Sequence, residues 1–383
     1  MPDNAVTRLP FLPYGRQEIA DSDIAAVIAA LSSDWLTTGP RVERFEEAFA
    51  SYCGAEHGVA VNSGTAALHC AMRALRVGPG QEVIVPAITF AASANAVIYE
   101  GARPIFADVE ADTLLIDPKS VAAKITARTK AIVAVDYAGQ PADYDVLRKL
   151  AAARDIAIIA DACHAPGATY KGRQTGVLGD ISCFSFHPVK HLTTCEGGMA
   201  LTQRSDFAQH MRRFRNHGID SDHRMRDAKG AHAYDMAELG YNYRLSDLQC
   251  ALGLAQLARL EHWIKARHRV AGWYNEALAV VPAVTPLGTR LDRTNAYHLY
   301  VVKLAKGINR DAVFSRLRAM GIGANVHYAP VYLHSYYRSR GYEMGIAPVA
   351  EAVSERILTL PMFPAMNRSD VDRVVTALAS AIR

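Results

Sequence analysis

The chain has 383 residues, half of them apolar, and a formal net charge of +4 from 42 basic and 38 acidic residues. This length and apolar content predict a large core plus a second, smaller domain, and the dispersed charge argues against a nucleic-acid partner. The six cysteines include no C-x-x-C pair, which argues against a zinc site or a disulfide framework and suits a reducing compartment.

The first forty residues are predicted to form an arm rather than a targeting segment. They carry an acidic residue and prolines where a signal peptide has an apolar core, and no apolar run in the chain approaches membrane-spanning length. A helix is predicted over residues 21–32, followed by the loop Asp34-Trp35-Leu36-Thr37, which is either a cap over the core or a binding loop. We therefore expect a cytoplasmic protein with no membrane partner.

Strands and helices alternate along the first half of the chain. Such alternation predicts an α/β fold with a mainly parallel sheet wrapped by helices, and ligands that bind at the carboxyl ends of the strands. Three candidate features follow such ends: the turn Ser63-Gly64-Thr65, Phe90 and Asp161. The predicted strands are residues 58–61, 82–86, 103–109, 131–136 and 156–161, and the predicted helices include residues 41–52, 66–75 and 143–154.

The stretch from residue 180 to residue 201 carries the candidate nucleophile. A β run ends at Phe184-Ser185-Phe186, a turn carries Lys190, and the break Glu196-Gly197-Gly198 precedes another apolar run. Lys190 lies among small, hydroxyl-bearing and apolar residues, where a lysine can lose its proton readily and attack a carbonyl. The alternative is a solvated surface lysine, which is what most lysines are.

The C-terminal part is predicted to form a small α/β domain. One long helix, interrupted only by Gly253 and Gly272, is predicted over residues 246–278 and carries the chain out of the first domain. A single strand at 298–304 and helices at 310–320, 347–358 and 368–382 follow. The predicted division is an arm at 1–40, a large cofactor-binding domain at 41–260 and a small domain at 261–383.

Two features have both a structural and a chemical explanation. The turn at residues 63–65 lies between a strand and a helix, where N–H groups and hydroxyls can hold a phosphate, or where a serine simply caps the helix. Asp161 is a lone carboxylate at the end of an apolar strand and needs a cationic partner, either an arginine or a protonated ring nitrogen. A metal site around Asp161 and His164 is disfavoured, because no second histidine lies at ligand spacing.

One cofactor requires all of these groups together. Pyridoxal phosphate needs a lysine for its aldehyde, a carboxylate for its ring nitrogen, a flat group against its ring and a helix start with hydroxyls for its phosphate. Lys190, Asp161 and the turn at residues 63–65 supply three of these groups, and Phe90, which would otherwise belong to the core, supplies the fourth. The sequence therefore predicts pyridoxal 5'-phosphate as the cofactor.

Five motifs in this order resemble the sugar aminotransferase family named after DegT, DnrJ, EryC1 and StrS. They are SGTAA at 63–67, DACH at 161–164, SFHPVK at 185–190, EGG at 196–198 and GYNYR at 240–244. The resemblance implies fold type I of the pyridoxal-phosphate-dependent transferases, which is the fold of aspartate aminotransferase. It implies that Lys190 bonds to the cofactor aldehyde and that Asp161 pairs with the pyridine nitrogen. The other implied cofactor contacts are Phe90 on the ring, His164 near the ring hydroxyl, Gly64, Thr65 and Ser185 on the phosphate, and Asn242 from the neighbouring subunit of a homodimer with shared active sites.

Shorter motifs are most similar to the branch of that family that acts in pseudaminic acid biosynthesis. They are PYGR at 13–16, DWLT at 34–37, VDYAG at 135–139, HPVKH at 187–191 and NVHY at 325–328. The resemblance implies a UDP-linked 4-keto sugar as substrate, L-glutamate as amino donor and Lys190 as the group that moves the proton. The implied substrate contacts are Tyr14, Asp34, Trp35, Leu36, Thr37, Asn325, Val326, His327 and Tyr328.

Three alternatives remain for the activity. The first is an aminotransferase of the same family that acts on another nucleotide ketosugar, of the GDP-perosamine, UDP-4-amino-arabinose or dTDP-sugar type. The second is a dehydratase of the same fold, which Lys190 argues against because a histidine replaces the lysine there. The third is a cofactor-binding regulator, which the lack of a basic DNA-recognition helix argues against.

Overall fold

The computed structural model describes residues 10–221, 224, 226, 230 and 232–383. Within these residues the strands are β1 (His57–Val61), β2 (Glu82–Pro86), β3 (Arg103–Ala107), β4 (Thr129–Val135), β5 (Ala157–Asp161), β6 (Thr169–Tyr170), β7 (Arg173–Gln174), β8 (Ile181–Ser185), β9 (Gly198–Thr202), β10 (Val284–Pro286), β11 (Tyr300–Leu304) and β12 (Ile357–Leu360). The α-helices described are Asp21–Leu31, Pro40–Tyr52, Gly64–Ala74, Ala92–Tyr99, Pro118–Lys124, Tyr144–Ala152, Ser205–Phe214, Asp247–Leu257, Leu260–Leu278, Arg310–Ala319, Ser335–Arg338, Pro348–Ser354 and Arg368–Ala381.

The main sheet of the described chain has seven strands in the order β1-β9-β8-β5-β4-β2-β3. Strand β9 is antiparallel to both of its neighbours, and the other pairs are parallel. Because β9 reverses the direction twice, β1 runs the same way as β8, β5 and β2. The carboxyl ends of these strands therefore lie at one edge of the sheet, and the predicted mainly parallel α/β architecture is confirmed.

Continuous apolar runs explain why these strands are central. Every residue of β2 and of β9 is buried, and so are four of the five residues of β5. Strands that are covered by helices on both faces have this composition rather than an alternation of polar and apolar residues. The helix Gly64–Ala74 packs on the sheet through a nearly all-buried face rich in alanine. Small side chains let that helix approach β8 and β9 closely.

The long predicted helix is one prediction that the structure corrects. The helix predicted over residues 246–278 is two helices, Asp247–Leu257 and Leu260–Leu278, and the break lies at 258–259 rather than at a glycine. Gly253 is inside the first helix, where an added Cβ would come within 2.6 Å of the Phe45 ring. This glycine therefore permits close packing and does not interrupt the helix.

The C-terminal part of the chain contains a sheet that was predicted only in part. Strands β10, β11 and β12 form a three-stranded antiparallel sheet in the described residues, and its buried side chains join those of the helices Leu260–Leu278 and Arg368–Ala381 in one core. The helix predicted over residues 347–358 ends at Ser354, and its last two residues belong to β12. Pairing of β12 with β11 overrides the local helical pattern there.

Two further differences concern short elements. The helix Pro118–Lys124 was not predicted, although Asp117 caps it by accepting a hydrogen bond from the Lys119 N–H at 2.9 Å. The strand predicted from residue 298 begins at Tyr300, so His298 lies just before it.

Among the described helices, none combines the length and apolar character that a membrane crossing requires.

Candidate active site

Lys190 lies in a tight turn just beyond the carboxyl end of β8. The turn is closed by the Lys190 N–H, which donates to the His187 carbonyl at 2.8 Å. The chain returns to the sheet at Gly198, where an added Cβ would lie 2.4 Å from the Ser63 carbonyl oxygen. Loss of hydration lowers the pKa of the Lys190 amine below its usual value, while Cys163 and Asp161 act in the opposite direction. A lysine held in this way exchanges its proton more readily than a surface lysine.

Asp161 is the last residue of β5, and its carboxylate is held by short polar contacts. The residue is 6% exposed. Its Oδ2 accepts a hydrogen bond from the Ser93 hydroxyl at 2.7 Å, and its Oδ1 accepts one from the Cys163 N–H at 3.3 Å. The Thr89 hydroxyl lies 2.8 Å from that of Ser93 and extends this chain of polar groups. A buried carboxylate placed in this way can pair with a cationic ring nitrogen.

The first turn of the helix Gly64–Ala74 faces Ser185. The Ser63 hydroxyl caps the helix by accepting from the Ala66 N–H at 3.0 Å, which confirms the structural explanation of that serine. An added Cβ on Gly64 would lie 2.9 Å from the Ser185 Cβ and 3.3 Å from its hydroxyl oxygen. Free N–H groups of the first helical turn and the hydroxyl of Ser185 therefore lie together, as a phosphate cradle requires.

We expect Gly64→Ala to weaken cofactor binding. The added methyl group would press on Ser185 and narrow the cradle, so the dissociation constant for pyridoxal phosphate should rise roughly ten- to hundredfold. Gly272→Ala is the matched control, because an added Cβ there meets no atom within 4 Å. Titration of the apoprotein with the cofactor measures the effect, and equal affinities in the two variants would contradict the cradle.

One wall of the site is formed by His164 and the loop at residues 325–328. The Ala138 N–H donates to His164 Nδ1 at 3.3 Å, so the neutral ring carries its hydrogen on Nε2, which lies 3.4 Å from the Tyr328 hydroxyl. Burial lowers the pKa of His164 well below its usual value, which keeps the ring neutral. Tyr14 of the arm reaches the same wall, with its ring centroid 5.4 Å from that of His327.

The loop at residues 325–328 is fixed from two sides. The N–H groups of Asn325 and Thr359 each donate to the carbonyl of the other residue, at 3.0 and 2.7 Å. His327 Nδ1 lies 2.9 Å from the Thr359 hydroxyl, and the Tyr137 hydroxyl donates to the His327 carbonyl. Val326 is held in turn by its own N–H, which donates to the Asn325 side chain at 2.8 Å. The loop is therefore a rigid part of the wall.

Phe90 lies at the open side of the site. It is 58% exposed, and its ring centroid is 6.0 Å from that of Tyr328. The alternative that Phe90 belongs to the core is therefore excluded, and its predicted contact with the cofactor ring stays a prediction. A large apolar ring exposed in the same site as a partly buried lysine and a buried carboxylate is available to pack against a flat ligand.

The remaining predicted site residues form a second group. The loop at 34–37 lies against the start of the helix Asp247–Leu257, where Thr37 pairs with Ser246 and the Asp247 N–H donates to the Leu36 carbonyl at 3.0 Å. In this group Asp34 and Leu36 are exposed and Trp35 is partly buried. Asn242 is exposed, and its carbonyl accepts from the side chain of Asn62 at 3.5 Å. The segment at 242–247 thus contains Asn242 and contacts the loop at 34–37.

The sequence did not single out several residues that complete the site. Ser93 lies three positions after Phe90, and a polar residue in the first turn of an apolar helix was the available signal. His298 approaches Lys190, with 3.5 Å between the two side-chain nitrogens, across 108 positions of sequence. Asp136 at the end of β4 accepts from the Ala142 N–H and the Tyr144 hydroxyl, both at 2.9 Å, and burial raises its pKa to about 8.

These groups fit pyridoxal phosphate. Lys190 offers an amine of lowered pKa for the aldehyde, and Asp161 offers a buried carboxylate for the ring nitrogen. The cradle between Gly64 and Ser185 is close enough that a single Cβ would fill it. The site therefore has an amine, a carboxylate and an anion cradle at one edge of the sheet, which are the groups that this cofactor requires.

Comparisons with known proteins agree with this chemistry. Residues 17–379 match the model of the DegT/DnrJ/EryC1/StrS aminotransferase family. Helicobacter pylori PseC, an aminotransferase involved in the biosynthesis of pseudoaminic acid, is 30% identical, with a TM-score of 0.91 over 97% of this chain and 99% of that one. DesV of S. venezuelae is 35% identical, with a TM-score of 0.90 over 98% of this chain and 100% of that one.

A third similar structure, from Streptococcus pneumoniae, is assigned as a sugar aminotransferase and was solved in its PMP form. It is 32% identical, with a TM-score of 0.92 over 97% of this chain and 98% of that one. The same protein was also solved in its PLP form. Fold type I, the cofactor and the enzyme class predicted from the sequence are thereby confirmed. The chain belongs to the DegT/DnrJ/EryC1/StrS aminotransferase family, whose members are sugar aminotransferases that depend on pyridoxal phosphate.

Proposed function

We propose that this aminotransferase moves an amino group from L-glutamate to C4 of a UDP-linked 4-keto-6-deoxy-N-acetylhexosamine. The product is UDP-4-amino-4,6-dideoxy-N-acetyl-β-L-altrosamine, on the route to pseudaminic acid. The observation that carries this proposal is the wall formed by Tyr14, His164 and residues 325–328 beside Lys190. Tyr14 and residues 325–328 are among the positions at which the sequence resembles the pseudaminic acid branch, and the similarity to PseC supports the same assignment.

Each residue of the site has a distinct task in this proposal. Lys190 holds the cofactor, releases it to the amino donor and then moves the proton between the donor α-carbon and the cofactor. The bound cofactor draws off the negative charge that develops at that α-carbon. Asp161 keeps the ring nitrogen protonated, and His164 donates toward the ring hydroxyl. The N–H groups at Gly64 and Thr65 and the hydroxyl of Ser185 hold the phosphate.

The wall at residues 325–328 and the ring of Phe90 provide the selectivity for the sugar substrate. Phe90 packs on one face of the cofactor ring, and the loop at residues 325–328, which is fixed by Thr359 and Tyr137, gives the sugar a rigid surface. A rigid polar surface discriminates between epimers because a misplaced hydroxyl leaves a buried polar group without a partner. The substrate class proposed here is therefore one nucleotide ketosugar rather than ketosugars in general.

A homodimer with shared active sites is part of the proposal. Asn242 belongs to the segment at 242–247, the loop at 34–37 contacts that segment, and both are largely exposed. If Asn242 reaches the cofactor phosphate bound by the partner subunit, the loop at 34–37, which contacts the same segment, lies close to the partner's substrate. The two groups of predicted residues would then form one site across the dimer.

Mixing two inactive variants tests the shared site. Lys190→Ala and Asn242→Asp are each expected to be inactive, and their mixture should recover up to about a quarter of the wild-type activity, because random pairing gives half heterodimers with one intact site each. The measurement is transamination after subunit exchange has been demonstrated with tagged chains. Exchange without recovery would place Asn242 in the site of its own subunit.

Product identification tests the substrate. With glutamate as amino donor, kcat/KM for the UDP-linked 4-ketosugar of L-arabino configuration should exceed that for its D-xylo epimer at least about a hundredfold.

The similarity to DesV, at 35% identity, supports a second candidate, an aminotransferase acting on another nucleotide ketosugar. Faster turnover of a GDP- or dTDP-linked ketosugar in the same panel would establish that alternative.

A further inference from the structure

His298 is a buried histidine that the chemistry described so far does not use. It is 5% exposed and lies between Ala296 and the start of β11. Its Nε2 lies 3.5 Å from the Lys190 Nζ, and its Nδ1 has no hydrogen-bond partner among the described residues. A histidine buried for structural reasons is normally held by a hydrogen bond to the protein frame. The polar contact of the His298 side chain in the described chain is instead Lys190.

The neighbouring histidines show the contrast. His191 Nε2 lies 2.9 Å from the Ala296 carbonyl, and His327 Nδ1 lies 2.9 Å from the Thr359 hydroxyl, so both rings are tied to the frame. The His298 ring packs against two other histidine rings, with its centroid 5.6 Å from that of His191 and 4.5 Å from that of His164. His298 is thus packed in place by rings and directs a nitrogen at Lys190.

The backbone of His298 is anchored independently of its ring. The buried guanidinium of Arg267 donates to the carbonyls of Tyr297, His298 and Met362 at 3.1 to 3.2 Å. This anchor holds the backbone at residue 298 through contacts that do not involve the side chain. The effect of replacing the ring can therefore be measured with little displacement of the backbone.

The charges around His298 keep its ring neutral. Burial and the adjacent groups Lys190, His164, His191 and Arg267 all lower the pKa of His298 well below its usual value. A protonated lysine has three donors and no acceptor, so its contact with Nε2 is a hydrogen bond only when Nε2 is unprotonated. The neutral imidazole that carries its hydrogen on Nδ1 meets that requirement. Contacts of catalytic groups are often long before substrates bind and shorten in the working complex.

We propose that His298 is a positioning residue for Lys190, and that its unprotonated Nε2 accepts a hydrogen bond from the Lys190 amine whenever that amine is not bonded to the cofactor. This inference rests on the role of Lys190 in the proposed function. The contact stabilises the lysine in the form that has just taken the proton from the donor α-carbon. It also holds the amine in place, so that the proton taken from the donor α-carbon can be delivered to the cofactor.

A pair of similar variants separates this role from packing. His298→Gln keeps an acceptor oxygen near the position of Nε2, and His298→Leu keeps the volume without an acceptor. In the apoprotein, competitive labelling of amines across a pH series gives the apparent pKa of Lys190, with surface Lys171 in the same sample as reference. We expect the leucine variant to lower the apparent pKa of Lys190 by about one pH unit, because a hydrogen bond to the charged form is lost, and the glutamine variant to restore most of it.

Turnover provides the second measurement. In the leucine variant kcat should fall about ten- to hundredfold with little change in KM, and the glutamine variant should recover most of that loss. Equal behaviour of the two variants, or a leucine variant that matches the wild type in both measurements, would overturn the proposal. If the leucine variant fails to fold, His298→Asn replaces it, because its shorter amide leaves the acceptor out of reach. Activity retained by Lys190→Ala would instead refute the proposed role of Lys190 itself.

Discussion

Replacing Lys190 with alanine is expected to abolish transamination and to remove the absorption band of the lysine-bound cofactor. Lys190 supplies both the covalent attachment and the proton transfer in the proposed function, so the rate should fall at least about a thousandfold. Cofactor held only by the cradle and Asp161 should remain in the protein in free aldehyde form. Absorption spectra of the purified variant, together with steady-state rates, measure both effects.

Two other variants make this test specific. Lys171→Ala removes a surface lysine whose amine pairs with Asp145 at 2.7 Å, and it should leave both spectrum and rate unchanged. Lys190→Arg keeps a cation but not a nucleophile at the site, so it should be as inactive as the alanine variant. An unaltered band in Lys190→Ala would show that another amine binds the cofactor.

The sequence predicted the frame of the site because local patterns determine it. Strands β2 and β5 contain apolar runs at 83–85 and 157–160, and β5 ends in the polar residue Asp161. Parallel pairing of β5 with β8 brings Asp161 and Ser185 to the same edge of the sheet. The two antiparallel pairings of β9 bring the turn after β1 to that edge as well. These positions follow from order along the chain and from the direction of the strands alone.

What the sequence did not predict depends on packing between distant segments. His298 reaches Lys190 from a segment 108 positions further along the chain, and nothing in its local pattern distinguishes it from the start of a strand. The same holds for β12, whose residues continue a helical pattern until β11 pairs with them. Phe90 was predicted to contact the cofactor ring from the cofactor's requirements and the family resemblance rather than from its local pattern, which is equally typical of a core aromatic residue. Its exposure beside Tyr328 depends on packing between these distant segments.

The carboxylate of Asp161 should matter for its charge rather than for its shape. Asp161→Asn keeps the size of the side chain and an oxygen that can accept from Ser93, so folding should be preserved. Loss of the negative charge leaves the ring nitrogen without the partner that keeps it protonated. We expect kcat to fall about a hundred- to ten-thousandfold, the effect of several kcal/mol of lost transition-state stabilisation.

Reconstitution of Asp161→Asn with an N-methylated cofactor distinguishes the charge from all other effects. The ring of that analogue carries a permanent positive charge, so it does not need a carboxylate, and part of the lost rate should return in Asp161→Asn but not in Lys190→Ala. Ser93→Ala, which removes one hydrogen bond to the carboxylate, should cost only about tenfold. If the analogue restores nothing to Asp161→Asn although it binds with normal affinity, the carboxylate acts by orienting the ring. The 2.7 Å contact with Ser93 would then be the feature that fixes its direction.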